Sequence, residues 1–323
     1  MAFGHDEEGS GFEGAGAIAK ILESRLKSDL LYLLDEGSII VDSGFPGVNG
    51  KVAMLGVSEK GYVTFRMKTR GQAGHSSMAP RETAIVQLAK AVAKFTSDAH
   101  PSRFGEGPER GMFESLASHA SFPFKVLYGN IWLFRPILSK VIAMSPMGNG
   151  LVRTTSAVTV INGGQKENVI PSEASALINH RIHPMDTINT VRDFDTQLIG
   201  DDRVELEVTH GNAFEPHPIS PFDSESFGYQ TIKRTLREVF QDIVVVPGIM
   251  VASTDTKWYL NLTSNIYRFT PVVLRTEEAK LFHGHDERIS VDNYVKIVNY
   301  YHHLILSSDE PTLKPDKLVK DEL

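Results

Sequence analysis

No cysteine occurs anywhere in the 323 residues. Disulfides and thiolate metal sites are therefore excluded, and any metal must be held by histidine and carboxylate. Basic charge is not in excess either. The 33 Lys and Arg are outnumbered by 40 Asp and Glu, for a formal charge of -7. That tells against a nucleic-acid footprint, which needs a basic patch, and no nucleic-acid partner is expected. Long apolar runs are missing too. The longest suspicious one, Val126 to Phe134, is flanked by Lys125 and Arg135 and is too short to span a bilayer. The first residues are acidic where a secretory leader needs a basic and then an apolar run.

What is present reads as a soluble globular chain, with 41% hydrophobic and 23% charged residues. Its length suits one large domain or two ordinary ones. The opening MAFGHDEEGSG sets Asp6, Glu7 and Glu8 side by side. Acids at a helix start are favoured by the helix dipole, and a helix is expected just after them. Adjacent carboxylates at a strand-to-helix turn can also divide two tasks, one binding a metal and the other moving a proton.

The spacing predicts a helix over GAGAIAKILESRL, with Ala17, Ile18, Ile21, Leu22 and Leu26 on one face. Leu30 to Leu34 is a continuous apolar run expected to be a strand buried on both faces, closed by Asp35, Glu36 and Gly37. Acids at the carboxyl end of a buried strand stand where open α/β sheets place ligands. The residues up to His5 are expected to end a similar strand.

From about Ala53 the pattern changes. In YVTFRMKT, Val63, Phe65 and Met67 alternate with Thr64, Arg66 and Lys68, as in a half-buried strand. A helix follows over ETAIVQLAKAVAKF, with Ile85, Leu88, Ala89 and Val92 in register. Strands VRTTSAVTVI and ASALINHRI, the helical DTINTVRDFDTQLI and the strand RVELEV complete a β, α, β, β, α, β order. That order is the split βαβ, ferredoxin-like unit. The Phe-, Pro- and Gly-rich stretch from about His100 to Gly150 reads as an insertion within it. After Phe214 helix, strand, strand and helix return, ending at YVKIVNYYHHLIL. The expected layout is an α/β catalytic domain over 1–52 and 213–308, an inserted ferredoxin-like α+β domain over 53–212, and a polar tail over 309–323.

GHDEEGSG, LLYLLDEG, GQAGHSSMAP, NVIPSEA, STDTKWYLNLTSNIYRF and HGHDERIS each set His, Asp, Glu or Asn beside a glycine, a proline or a strand end. As an ordered set they resemble the zinc metallopeptidases that include aminoacylase, bacterial glutamate carboxypeptidase and succinyl-diaminopimelate desuccinylase. The most similar branch is carboxypeptidase S (Gly-Xaa carboxypeptidase) and the N-fatty-acyl-amino-acid hydrolases. The likeness runs from about Ala2 to about Leu306.

The resemblance implies a metal-dependent hydrolase with two zinc ions, cleaving the amide of an N-acyl amino acid or dipeptide beside its C-terminal residue. It implies an incomplete zinc-peptidase-like catalytic domain with a lid domain that forms a homodimer. Carried over by position, Glu7 resembles the general base. Glu8 and His283 resemble ligands of one metal, and Asp35 a ligand of the second, with Glu36 adjacent. His75 resembles the lid histidine that stabilises an oxyanion across the dimer. Asn168 looks like a second polar contact from the lid, and Thr254 and Asp255 match a turn near the substrate. Lys257 stands where many members have arginine, a departure that tells against a bidentate carboxylate clamp there. Taken singly, His283 competes with His285, His75 suits a turn, Asn168 suits a cap before Pro171, and the Phe122 to Phe134 aromatics suit lid core as well as an acyl pocket.

In that family a His-x-Asp motif and a bridging Asp precede the HDEE stretch, and the chain as given starts after it. By itself it is therefore expected to hold zinc weakly and to hydrolyse nothing, the alternative being a short form that serves as a dimerisation partner. The terminal Lys320, Asp321, Glu322 and Leu323 match the endoplasmic reticulum retrieval address, which acts only behind a signal peptide. Asn261-Leu262-Thr263 is a glycosylation sequon inside the NLTSNIYRF motif.

Overall fold

The computed structural model describes residues 1–309 apart from 27–28, 210, 212 and 276–277. The terminal Lys320 to Leu323 and the polar tail beyond 309 lie outside the described residues.

In chain order the first elements are α1 (Ala15–Arg25), β1 (Leu33–Asp42), β2 (Lys51–Glu59), β3 (Gly61–Arg70), β4 (Gly74–His75), α2 (Ala84–Val92), α3 (Pro108–Ala117), α4 (Phe124–Gly129), α5 (Ile131–Ile142) and α6 (Pro146–Val152). Then follow β5 (Thr155–Gly163), β6 (Val169–Ile170), β7 (Glu173–Ile182), α7 (Ile188–Ile199), β8 (Val204–Val208), α8 (Phe227–Val239), β9 (Ile243–Met250), β10 (Ile266–Leu274) and α9 (Val291–Ser308). They fall into two compact units. Unit 1 is Met1–Ser58, Pro108–Ile131 and Pro218–Leu323, and unit 2 is Glu59–Gly107 and Trp132–His217. Residues 108–131, read from the sequence as part of the inserted domain, thus group with unit 1.

Unit 1 is built on a four-stranded sheet of order β1-β10-β2-β9. β1 runs parallel to β10 and antiparallel to β2. Ile232 and Leu236 of α8, Tyr300 and Leu304 of α9, and Leu55 and Phe269 from the sheet share one core. Full burial of such a side chain stabilises by about 1.5–3 kcal/mol.

The strand reading at the acids needs correction. β1 begins only at Leu33 and continues through Asp35, Glu36 and Gly37 to Asp42. Its register with β10 shifts between Asp35 and Ser38, a local irregularity that carries the acids within the strand. Gly37 makes this possible. It adopts φ 152, and a Cβ there would stand 2.7 Å from the Cβ of Arg268. Leu30 to Leu34 is not buried on both faces, since Leu31 is exposed and β1 ends the sheet order. The residues up to His5 form no strand. The face of α1 is rotated as well. Ala15 and Ala19 are buried while Ile21 and Leu26 are exposed, because the small residues let the helix approach Tyr259 and Leu262 closely.

Unit 2 carries the ferredoxin-like arrangement, an antiparallel sheet of order β5-β7-β3-β8. Val63, Phe65 and Met67 are fully buried, as their alternation requires. Thr187 starts α7 with a capping box, its side chain accepting from the Thr190 amide. α2 presents Ala84, Leu88 and Ala91 to the core rather than the predicted Ile85 and Ala89 register, and Ile85 and Val86 are exposed. The outer strand β5 likewise leaves Val160 and Ile161 exposed. No helix among the described residues is long and apolar enough to cross a membrane.

Candidate functional site

The three opening acids separate into different roles. Asp6 holds the loop before α1. Its Oδ2 accepts from the Glu13 amide at 2.8 Å and its Oδ1 from the Gly14 amide at 2.9 Å. Those bonds, the Glu13 amide foremost, hold its carboxyl below the usual range. Glu7 and Glu8 occupy the short 3-10 turn Glu7–Gly9 that follows.

Glu7 is partly buried and faces a group of carboxylates. Its carboxyl is pushed up to about 7, first by burial and then by the charges of Glu36, Asp255, Glu8 and Asp35. Glu8 is exposed, with Oε1 3.7 Å from Nδ1 of His283, so a residue at the start of unit 1 meets one 275 positions later in the same unit (283 − 8 = 275). His283 sits in a turn at φ 57.

Asp35 accepts from the Glu36 amide at 2.9 Å. Burial raises its carboxyl, while that bond and the Arg268 charge oppose the rise. Arg268 is its register partner on β10 and is fully buried, donating from Nε to Thr256 Oγ1 at 3.0 Å and from Nη1 to the Ile266 carbonyl at 3.2 Å. Glu36 is raised by burial and by Asp35, Asp255 and Glu8, with His283 opposing.

Thr254 opens the 3-10 turn Asp255–Tyr259 and accepts from the Thr256 amide. Asp255 is buried and raised, first by burial and then by Asp35, and its Oδ1 has no hydrogen-bond partner. Gly11, at φ 69, is the neighbour that makes room for it: a Cβ there would fall 2.0 Å from Asp255 Oδ1. Lys257 lies over the Trp258 ring at 5.7 Å.

His75 and Asn168 belong to unit 2. They lie on the β4–β6 ribbon, where His75 pairs with Val169 and the Ser76 amide donates to the Asn168 carbonyl at 3.2 Å. The Ser77 amide donates to His75 Nδ1 at 3.2 Å. The neutral imidazole therefore carries its proton on Nε2, a donor on an exposed side chain.

Glu7, Glu8, Asp35, Glu36, Asp255 and His283 thus lie near enough in unit 1 to act on one another's charge, although among the described residues only His100, His180 and Asp195 bring three ligand atoms within 4.8 Å of one another. Carboxylates raised by one another, together with the orphaned Asp255 oxygen, form a place that a divalent cation would neutralise. The donor set of carboxylate and imidazole suits zinc or a related ion. Sequence reasoning left out Glu36 as a member of the cluster, Arg268 as its buried counter-charge and Gly11 as the residue that admits Asp255.

The raised Glu7 carboxyl fixes a sign. A group whose folded pKa exceeds its unfolded value contributes stability at low pH and loses it as pH rises through the folded value. Metal-free protein is therefore expected to lose about 1 kcal/mol between pH 4.5 and above 7 through Glu7, well short of the full shift because the group is partly solvated. Denaturant titrations of the parent and Glu7→Gln across that range check it, the loss being absent from the variant.

The sequence that builds this α/β sheet and its constellation is interrupted by the ferredoxin-like unit. A model of the peptidase dimerisation domain matches residues 57–200. The chain is 43% identical over 323 residues to the N-fatty-acyl-amino acid synthase/hydrolase PM20D1 of Xenopus tropicalis, covering 100% of this chain and 62% of that protein. It is 40% identical over 311 residues to the probable carboxypeptidase S-like 2 of Dictyostelium discoideum, covering 96% of this chain and 59% of that one. It thus spans about three fifths of the length of these curated relatives. An M20 family metallo-carboxypeptidase from Sulfolobus solfataricus superposes with TM-score 0.55 at 15% identity, covering 93% of this chain and 68% of that one. Human carnosine dipeptidase 1 does so with TM-score 0.56 at 14% identity, covering 93% and 64%. The likeness to these solved structures is one of fold. Residues 57–200 thus match a peptidase dimerisation domain, and along its whole length the chain is similar to N-fatty-acyl-amino acid synthase/hydrolases and carboxypeptidase S-like proteins.

Proposed function

We propose that the Glu7 cluster is the working part of a zinc-dependent amide hydrolase that releases a C-terminal amino acid from an N-acyl amino acid or dipeptide. The observation that carries this is the placing of Glu7 beside Glu8, itself paired with His283, and near Asp35, Glu36 and Asp255, whose charges with burial push its carboxyl up to about 7 in the metal-free protein. Glu8 and His283 would hold one ion and Asp35 would serve a second. Bound there, such ions would supply Lewis-acid polarisation of the scissile carbonyl and of the attacking water. Glu7 would accept a proton from that water and return it to the leaving amine. Asp255 and Thr254 border the same cluster and orient substrate. His75, with its proton on Nε2, is suited to donate to an oxyanion in the site of a second copy across the dimer. The names of the relatives favour a fatty-acyl or aminoacyl group on the substrate.

The test is hydrolysis of N-fatty-acyl amino acids and dipeptides by the full-length protein. Chelation abolishes turnover and zinc restores it on this reading. Turnover that survives complete removal of metal contradicts it.

Homodimerisation belongs to the same reading. The exposed Val160 and Ile161 on the outer strand β5, and Ile85 and Val86 on the neighbouring α2, are an apolar edge suited to a second copy. Ile161→Lys is expected to shift sedimentation from dimer to monomer at micromolar concentration. A parent protein that is already monomeric there speaks against the idea.

A further inference from the structure

A second group of metal-ligand side chains lies in unit 2 and shares no residue with the Glu7 cluster. His100 is nearly fully buried, and His180 and Asp195 are fully buried. His100 Nε2 stands 3.1 Å from Asp195 Oδ1, and His180 Nε2 stands 3.1 Å from Oδ2. Burial alone would raise the Asp195 carboxyl, but these two contacts outweigh it and hold the carboxyl low, so the acid is balanced only by the two imidazoles. His180 Nδ1 is buried without a hydrogen-bond partner, and the geometry of the two His–Asp contacts is poor for hydrogen bonds. A buried carboxylate held only by two imidazoles is a place where a cation would be favourable.

The surroundings offer no compensation by solvent. Phe194 lies 4.5 Å from the His100 ring centroid, and Phe65 lies 5.4 Å from that of His180. The two imidazoles are nearly perpendicular, at 85°. Their spacing from the carboxylate oxygens suits ligands of one ion. Donor atoms bonded at roughly 2.0–2.2 Å to a common metal stand roughly 3–3.5 Å from each other. All the candidate ligand atoms lie within 4.8 Å of one another.

The three residues come from separate parts of the ferredoxin-like unit. His180 is fixed on β7 opposite Val63 of β3 and Ser156 of β5. Asp195 lies on α7, and His100 lies in the stretch between α2 and α3. An ion held by all three would tie α7 to the sheet and neutralise Asp195.

We propose that His100 Nε2, His180 Nε2 and the Asp195 carboxylate form a structural site for a divalent transition-metal ion of the zinc class. Two imidazoles and one carboxylate, with no thiolate, are the donors that such an ion accepts. The remaining coordination position is left to water.

The experiment uses the whole chain carrying Glu8→Ala, Asp35→Ala and His283→Ala, which removes the proposed ligands of the other cluster. After chelation and gel filtration, cobalt(II) is titrated in and followed by visible absorption. One equivalent is expected to bind, with X-ray absorption showing two imidazoles, and zinc is expected to displace it and raise the unfolding temperature. Adding Asp195→Asn is expected to weaken binding by roughly 10–100-fold or more, since losing an outer-shell partner alone costs that much. Should that variant fail to fold, the zinc-dependent rise in unfolding temperature of its parent still decides. A folded parent that binds no cobalt and is not stabilised by zinc overturns the proposal, as does an Asp195→Asn protein that binds as tightly as its parent.

Discussion

Glu7→Gln in the full-length protein is expected to lower kcat for amide hydrolysis by roughly 10²–10⁴-fold, with KM and metal content little changed. Glutamine keeps the shape of the side chain and removes its ability to accept a proton. Glu7 holds no ion in this account, so its charge is not needed for loading. Its neutralisation takes one negative charge from the cluster of Glu36, Asp255, Glu8 and Asp35 but removes no proposed ligand. Metal should therefore be largely retained at saturating zinc while turnover collapses. A variant that keeps more than about a tenth of parental kcat would remove Glu7 from the proton-transfer role, because general base catalysis contributes at least tenfold more than that. Equal loss of metal and activity would instead make Glu7 a ligand.

The second large effect concerns stability. Arg268→Met should destabilise unit 1 by about 3–5 kcal/mol in metal-free buffer. The guanidinium is fully buried, bonded to Thr256 and to the Ile266 carbonyl, and its charge opposes the rise of Asp35. Methionine fills comparable volume but leaves Asp35 without its counter-charge. The deficit should widen as pH rises, since Asp35 can escape the penalty only by taking a proton. Adding Asp35→Asn to the variant should recover part of the loss. Thermal unfolding of the single and double variants checks this. An Arg268→Met protein as stable as the parent, or a double variant no better than the single, would show that the two side chains are not coupled.

Much of unit 2 was legible because its physics is local. The strict alternation of Val63, Phe65 and Met67 leaves one way to bury that strand, and the β, α, β, β, α, β order then fixes the sheet. Helix faces were less legible. In α1 and α2 the side that packs is lined by alanines, which carry a weak apolar signal, while the larger Ile21, Ile85 and Val86 stay exposed. The strand at Asp35 was misread because its continuation depends on Gly37 fitting against Arg268, a residue 231 positions away (268 − 37 = 231). No local periodicity reports such an approach.

The site was legible in a different way. Glu7, Glu8, Asp35, Asp255 and His283 were singled out through a resemblance of ordered motifs, and the fold brings them to one place in unit 1. Glu36 was set aside as the neighbour of Asp35, although it feels both Glu8 and His283. Nothing in NLTSNIYRF marks Arg268, because alternation says nothing about a charge that is buried with its partners. His100, His180 and Asp195 carried no motif at all, and only folding brings them together.

The most direct test of the central claim is anomalous diffraction at the zinc edge from crystals of the full-length, zinc-loaded protein. The account predicts a peak within bonding distance of Glu8 and His283 and a second at Asp35, with Glu7 beside them but bonded to neither. An active, zinc-loaded protein with no peak at those three side chains would contradict it.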